Sequence, residues 1–464
     1  MNVSRALVLF VSCMVGHFAQ AQEFERVSPD EAGFDASALE QVTHALQAHV
    51  DAGHIAGAVG AVLRDGKLVY LEAVGQRDID AQSAMPTDAL FRIYSMTRPV
   101  SSLAAMILWE EGKFRLDDPI SKYLPQFASQ QVFVQAESPD MLRTRPRQGD
   151  ITVADLMRHT SGLGSRSSPI YVAEGVRSRA ITLEEMTNNA ARVPLFEDPG
   201  TRFRYGLSAT ILGRLVEVWS GQPFDTFLNE RVFAPLGMVD TVFWVDPARV
   251  SRLATVYRPD AQGKLQPFEM EEIPFTEKVP LIEGGVGLVS STLDFAKFSQ
   301  LFLSGGELFG HRLLQPETVQ RMMENSIDEA LLPIGAGGYM AASGWTLGGF
   351  AYALDPARYD HTVSPGEVWW DGSAGTRFWI DPVQGIVTVI MAQGGSYKPG
   401  APREGWDFGS GYLNVVFTAL GSTDVEVIVA EFGLAGVAPG MDDFVGAKEE
   451  SIAAAKAAAR TRAA

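Results

Sequence analysis

The chain has 464 residues, of which 46% are hydrophobic and 20% charged, an ordinary composition for a soluble globular protein of one large or two interleaved domains. A formal net charge of −18 argues against nucleic acid and anionic membrane surfaces as partners. The single cysteine, Cys13, falls in the leader described next, which leaves the mature chain without a disulfide or a catalytic thiol.

Arg5, the apolar run Ala6 to Val11 and the small-x-small triplet Ala19-Gln20-Ala21 form a signal peptide pattern over residues 1–21, with cleavage before Gln22. The expected location is therefore periplasmic or secreted. The run is too short to span a bilayer, and no later segment looks transmembrane. Cys13 could mimic a lipid-anchor acceptor, but Phe10 fits poorly upstream of it and the apolar run would be truncated. A helix is predicted from Ser37 to Val50. A hairpin follows, with Ala58 to Leu63 and Leu68 to Leu71 flanking Asp65-Gly66, a strong two-residue turn signal. After Phe91-Arg92-Ile93-Tyr94-Ser95, the apolar residues Leu103, Met106 and Ile107 recur at helical spacing up to Gly112. Thr152 looks like the N-cap of a short helix to Arg158. Helical stretches are expected from Thr182 to Ala191 and from Thr210 to Ser220. Arg377 to Ile380 and Ile386 to Ile390 alternate as strands around an Asp381-Pro382 turn. Strands at both ends with helices between them predict an α/β (α+β) fold, an antiparallel sheet flanked by helices and carrying an inserted, mostly helical domain. The expected division is 22–115 with 281–440 for the sheet domain, 116–280 for the helical domain and 441–464 for an Ala-rich tail.

Ser95 stands at the start of the predicted helix, where free backbone N–H groups suit a developing oxyanion. Arg98, three residues on, lies on the same face one turn away. This is the spacing of a Ser-x-x-Lys nucleophile motif with arginine in the lysine position. A serine N-cap before an amphipathic helix gives the same pattern for purely structural reasons, and spacing alone does not separate the two. Other constellations are missing: no Gly-x-Ser-x-Gly elbow, no His-Glu-x-x-His, no paired His/Cys spacing and no phosphate loop. Neither a metal nor a cofactor is expected. His159, at a helix end before Thr160-Ser161-Gly162, reads as structural.

Further blocks occur in a telling order. They are Tyr94-Ser95-Met96-Thr97-Arg98-Pro99, then Ile151 to Leu163 with His159-Thr160-Ser161-Gly162-Leu163, then Pro199 to Ser208 around Tyr205. Gly284-Gly285-Val286-Gly287-Leu288-Val289-Ser290-Ser291 and Trp370-Asp371-Gly372-Ser373-Ala374-Gly375-Thr376 follow. Over roughly Glu31 to Gly394 the chain resembles the serine β-lactamase and penicillin-binding-protein superfamily, most closely its class C-like esterase branch, the family VIII carboxylesterases. The resemblance implies that Ser95 forms an acyl-enzyme and that Tyr205 exchanges protons with Ser95 and the leaving alcohol. It also implies an oxyanion hole from the backbone N–H groups of Ser95 and a residue near Ser373. Trp370, Asp371, Gly372 and Ser373 would line the substrate site, although Tyr205 could pack at a domain seam and Trp370 could be plain core or pocket wall.

The chain departs from the penicillin-recognising pattern in three places. Tyr-x-Asn reads Tyr205-Gly206-Leu207, Lys-Thr-Gly reads Trp370-Asp371-Gly372, and the lysine of Ser-x-x-Lys is Arg98. Losing the Lys and Thr that normally hold a substrate carboxylate, and gaining Asp371, favours neutral esters over β-lactams or D-Ala peptides. Arg98 cannot serve as a general base. Its charge either lowers the phenol pKa to make Tyr205 a tyrosinate base, or its bulk crowds Ser95 and silences the site. The expected function is an exported serine esterase or transesterase acting on a small-molecule ester. The alternatives are a catalytically impaired relative that binds a ligand or partner, and a weak β-lactamase or D-Ala peptidase. Nothing in the sequence bears on the oligomeric state.

Overall fold

The computed structural model describes residues 22–394 apart from 139–140, 261, 333, 335–339, 341 and 360–362. The expected signal peptide with Cys13, the far end of the expected sheet domain and the Ala-rich tail lie outside the described residues. Asp65 and Gly66 both adopt the left-handed conformation (φ 51° and 78°), as a tight hairpin turn requires. They join the strand Gly57–Arg64 to Lys67–Asp78. On its other side Gly57–Arg64 pairs with Ile386–Ala392, Ala58 opposite Ala392 and Arg64 opposite Ile386. The N-terminal hairpin and the C-terminal strands thus share one sheet. Its order is Ser343–Trp345, Ala351–Ala353, Val368–Gly372, Thr376–Asp381, Ile386–Ala392, Gly57–Arg64, Lys67–Asp78 and Ser83–Ala84, every pair antiparallel.

The register shows why the strands Gly57–Arg64 and Ile386–Ala392 are apolar along nearly their whole length. Tyr70, Val62, Thr388 and Trp379 stand in one cross-strand row. Tyr70 shares a 3.0 Å hydrogen bond with Thr43 of the helix Ala36–Asp51, so that helix covers their face. Phe378, one residue along, points the other way and packs on Phe295 of the helix Thr292–Leu303 at 4.9 Å. With both faces covered, no polar alternation remains.

Between these strands lie the helices Val153–Met157, Leu183–Arg192 and Ser208–Ser220. Thr152 with Asp155 and Thr182 with Glu185 each form a reciprocal capping box that fixes where a helix starts. The same stretch also holds two hairpins, Gln131–Ser138 with Met141–Pro146 and Tyr257–Pro259 with Leu265–Pro267. A separate short ribbon pairs Leu90–Arg92 with Val289–Ser291. Together with the Ile93 N–H bond to the Leu288 carbonyl, it delivers the chain to Ser95 from a fixed direction. Among the described residues no helix is long and apolar enough to cross a membrane.

Candidate active site

Ser95 sits in the single 3-10 turn Tyr94–Met96, which runs directly into the helix Thr97–Glu110. It therefore precedes the α-helix rather than opening it. Tyr94 adopts φ 39°, a conformation costly for a bulky non-glycine residue and one that recurs at functional turns. Thr97 to Leu108 are all buried, so the helix is gripped on every side. Arg98 is buried within it, and its Nη1 donates to Ser95 Oγ at 3.0 Å. The same nitrogen donates to the Gly285 carbonyl, and Nη2 donates to the Gly206 carbonyl at 3.2 Å. The guanidinium carbon lies 4.2 Å from the centroid of the Tyr205 ring, a cation–π contact. No described carboxylate forms an ion pair with it; Glu283 and Asp371 act on it only at longer range. Burial pushes its pKa below the ordinary value and Tyr205, Glu283 and Asp371 push it back, but a guanidinium stays charged throughout. The contact with Ser95 is an ordinary hydrogen bond, not a clash.

Tyr205 lies just before the helix Ser208–Ser220. Its phenol oxygen accepts the indole N–H of Trp370 at 3.0 Å, and the Ser95 hydroxyl lies close enough to act on the phenol. The shift at this phenol runs against the expectation that Arg98 makes it a tyrosinate. Desolvation is the largest influence and raises the phenol pKa; Asp371 raises it further. The Arg98 charge and the bonds from Ser95 and Trp370 lower it but do not prevail, so the net shift is upward. Tyr205 is a neutral phenol at neutral pH.

The strand Val368–Gly372 brings Trp370 to this point. Its closeness depends on Gly372. A Cβ there would stand 2.3 Å from the Ile93 carbonyl oxygen and 2.3 Å from Thr376 Oγ1, so only glycine lets the strand approach the nucleophile turn. Ser373 follows in the turn closed by the Gly375 N–H on the Gly372 carbonyl. Strand alternation sends Asp371 to the opposite face of the sheet from Trp370, across from Arg377. Asp371 therefore does not share the Trp370 face, although its charge is felt at Tyr205 and Arg98.

An aromatic wall backs Tyr205. The His159 ring centroid is 4.8 Å away, that of Trp370 5.1 Å and that of Trp345 5.9 Å. His159 takes a left-handed backbone (φ 56°), and its carbonyl accepts the Arg204 N–H at 2.7 Å, which fixes the chain next to Tyr205. Burial, assisted by Arg98, holds its imidazole well below the usual pKa and hence neutral. The sequence reading of His159 as structural did not foresee its place behind the phenol. Trp345 and the Gly206 and Gly285 carbonyls were also missed as parts of the site. The glycines lie inside recognised blocks, but a carbonyl acceptor carries no residue signature. No group of three or more His, Cys, Asp or Glu among the described residues is placed to hold a metal ion.

The chain is similar to known proteins over most of its length. The model of the Beta-lactamase family matches residues 42–407. Protein Rv1367c of Mycobacterium tuberculosis is 34% identical over 74% of this chain and 87% of its own length. Esterase EstB of Burkholderia gladioli is 29% identical over 73% of this chain and 86% of its own. Among solved structures, EstCE1, a hydrolase with promiscuous acyltransferase activity, superposes with a TM-score of 0.68 at 25% identity, covering 82% of this chain and 99% of that one. With its antiparallel sheet, its Ser95-x-x-Arg98 turn and a family match over most of its length, the chain belongs to the Beta-lactamase family.

Proposed function

We propose that the chain is an exported serine esterase or transesterase that cleaves small neutral acyl esters through an acyl-enzyme on Ser95. The observation that carries the reading is the convergence of Arg98 and Tyr205 on the Ser95 hydroxyl, with Trp370 bonded to the phenol. EstB's name as an esterase and EstCE1's title as a hydrolase with acyltransferase activity support the same chemistry.

A neutral phenol can move protons without ionising. As Ser95 Oγ attacks the ester carbonyl, its proton passes to the Tyr205 oxygen while the phenol proton passes to the departing alkoxy oxygen. The O–C bond to Ser95 forms, the bond to the alcohol breaks, and no net charge enters the site. In the second half water or an alcohol attacks the acyl carbon and gives its proton to Tyr205, the Ser95 Oγ–acyl bond breaks as Tyr205 returns a proton to Oγ, and the acid or new ester leaves. Arg98 supplies a fixed donor that stabilises negative charge on Oγ at both stages. The backbone N–H groups of Ser95 and of the Ser373 turn complete the oxyanion hole. With an indole where the superfamily keeps a cation, the Trp370 position offers no counter-charge to a substrate carboxylate, which favours neutral esters.

The test is a panel of nitrophenyl esters run beside a chromogenic cephalosporin, with fluorophosphonate labelling of Ser95. Short neutral esters should turn over faster than the cephalosporin. Labelling that misses Ser95, or a preference for the cephalosporin, overturns the reading.

A further inference from the structure

Arg98 poses a physical problem. A guanidinium buried in a helix core normally faces a carboxylate, yet this one is held by two backbone carbonyls, a hydroxyl and an aromatic face. The carbonyl on the serine side comes from Gly285, in the turn Glu283 to Gly287 that closes when the Gly287 N–H meets the Glu283 carbonyl at 3.0 Å. The helices Thr97–Glu110 and Ser208–Ser220 press on this turn. Ser101 Oγ donates to the Gly284 carbonyl at 2.6 Å, and a Cβ on Gly285 would come within 2.6 Å of Thr210 Oγ1. The turn has one ionic anchor. The buried Glu283 carboxylate accepts Arg177 Nε at 2.8 Å on one oxygen and Thr210 Oγ1 at 3.4 Å on the other.

We infer that Glu283 is a positioning residue for the Ser95–Arg98–Tyr205 group. Its carboxylate anchors the turn whose Gly285 carbonyl holds the guanidinium against Ser95, and its charge offsets a cation that has no ion-pair partner. The inference rests on the serine esterase reading and assigns the role to a residue that touches neither substrate nor the reacting atoms. The other charges around it are accounted for. Arg98 is faced by Tyr205, Arg166, Asp371 and the neutral His159. Glu283 is faced by Arg177 and Arg179, and Arg177 also binds Glu271 at 2.8 Å.

The arginine gives the proposal a sign. Because a guanidinium cannot lose its proton, removing the Glu283 charge only loosens it. A lysine in the same place can titrate, and a nearby carboxylate favours its ammonium form. Glu283→Gln should therefore slow fluorophosphonate labelling of Ser95 about tenfold in the native background, through weaker charge-assisted bonding at Arg98. Glu283→Asp, which keeps the charge, should recover much of that rate and guards against a loss of fold. In an Arg98→Lys background, Glu283→Gln should move the titration midpoint of the introduced amine, followed by NMR, down by roughly half a unit to one unit. Native-rate labelling by Glu283→Gln, or a midpoint that does not move, overturns the inference. If native Ser95 takes no label at all, the esterase reading fails, while the NMR titration still decides the role of Glu283.

Discussion

The buried Arg98 and the half-buried Arg177 are stabilised in opposite ways. Arg177 is surrounded by carboxylates, with Glu271 and Glu283 at 2.8 Å and Glu272 at 3.8 Å. Against desolvation, which alone would lower it, Glu283 and Glu271 hold its guanidinium above the ordinary pKa. Arg98 meets only neutral acceptors and a ring. The charge of Arg177 is spent on its partners and ties loops together. That of Arg98 is left uncancelled at contact distance, so it is free to act on any negative charge that develops on Ser95. The contrast separates a structural cation from a catalytic one by what surrounds each.

The comparison can be broken most severely at the phenol. Tyr205→Phe keeps the ring over Arg98 but removes the proton carrier, and turnover of a nitrophenyl ester should fall by about 10²–10⁴-fold. A residual rate close to native would remove the shuttle. Stability should divide the two arginines next. Arg177→Met leaves the buried Glu283 carboxylate without its ion-pair cation, while Glu271 keeps Arg166, and should cost about 3–5 kcal/mol in urea unfolding. Arg98→Met strands no carboxylate in an ion pair, so its loss should be much smaller while ester turnover collapses. Equal destabilisation would show that the contrast is not real.

The pH dependence is a finer probe. If Tyr205 works as a neutral phenol, kcat should be flat through neutral pH and decline only as the pH rises through the elevated phenol pKa, above the ordinary 10.0. A tyrosinate base would instead give a rate that climbs with alkali. The smallest effect concerns His159, which is neutral in the folded state. The unfolded imidazole takes up a proton first as pH falls below 6.5, so stability is lost on acidification from there. His159→Phe should shift the acid-unfolding midpoint to lower pH and keep the ring packing behind Tyr205.

What could be read without coordinates was whatever local chemistry dictates. Asp65-Gly66 specified its turn, Thr152 its cap, and the three-residue step from Ser95 to Arg98 a shared helix face, because each depends on neighbours in the chain. The strands Ser343–Trp345 and Ala351–Ala353 and the Leu90–Arg92 ribbon were too short to show a period. The shift at Tyr205 runs opposite to the tyrosinate alternative for a different reason. The charge of Arg98 is visible in a sequence, but the desolvation that outweighs it is a property of the assembled core. For the same reason neither Trp345 nor Glu283 could be tied to Ser95 from spacing alone.

The strand Gly57–Arg64, paired on one side within its own hairpin and on the other with Ile386–Ala392, also constrains how the molecule is made. The hairpin can close as soon as it leaves the ribosome, but its second edge has no partner until nearly all the described chain has been synthesised. Until then an apolar strand stays open to other chains, a hazard for slow, high-contact-order sheets. Refolding yield from denaturant should therefore fall steeply with protein concentration.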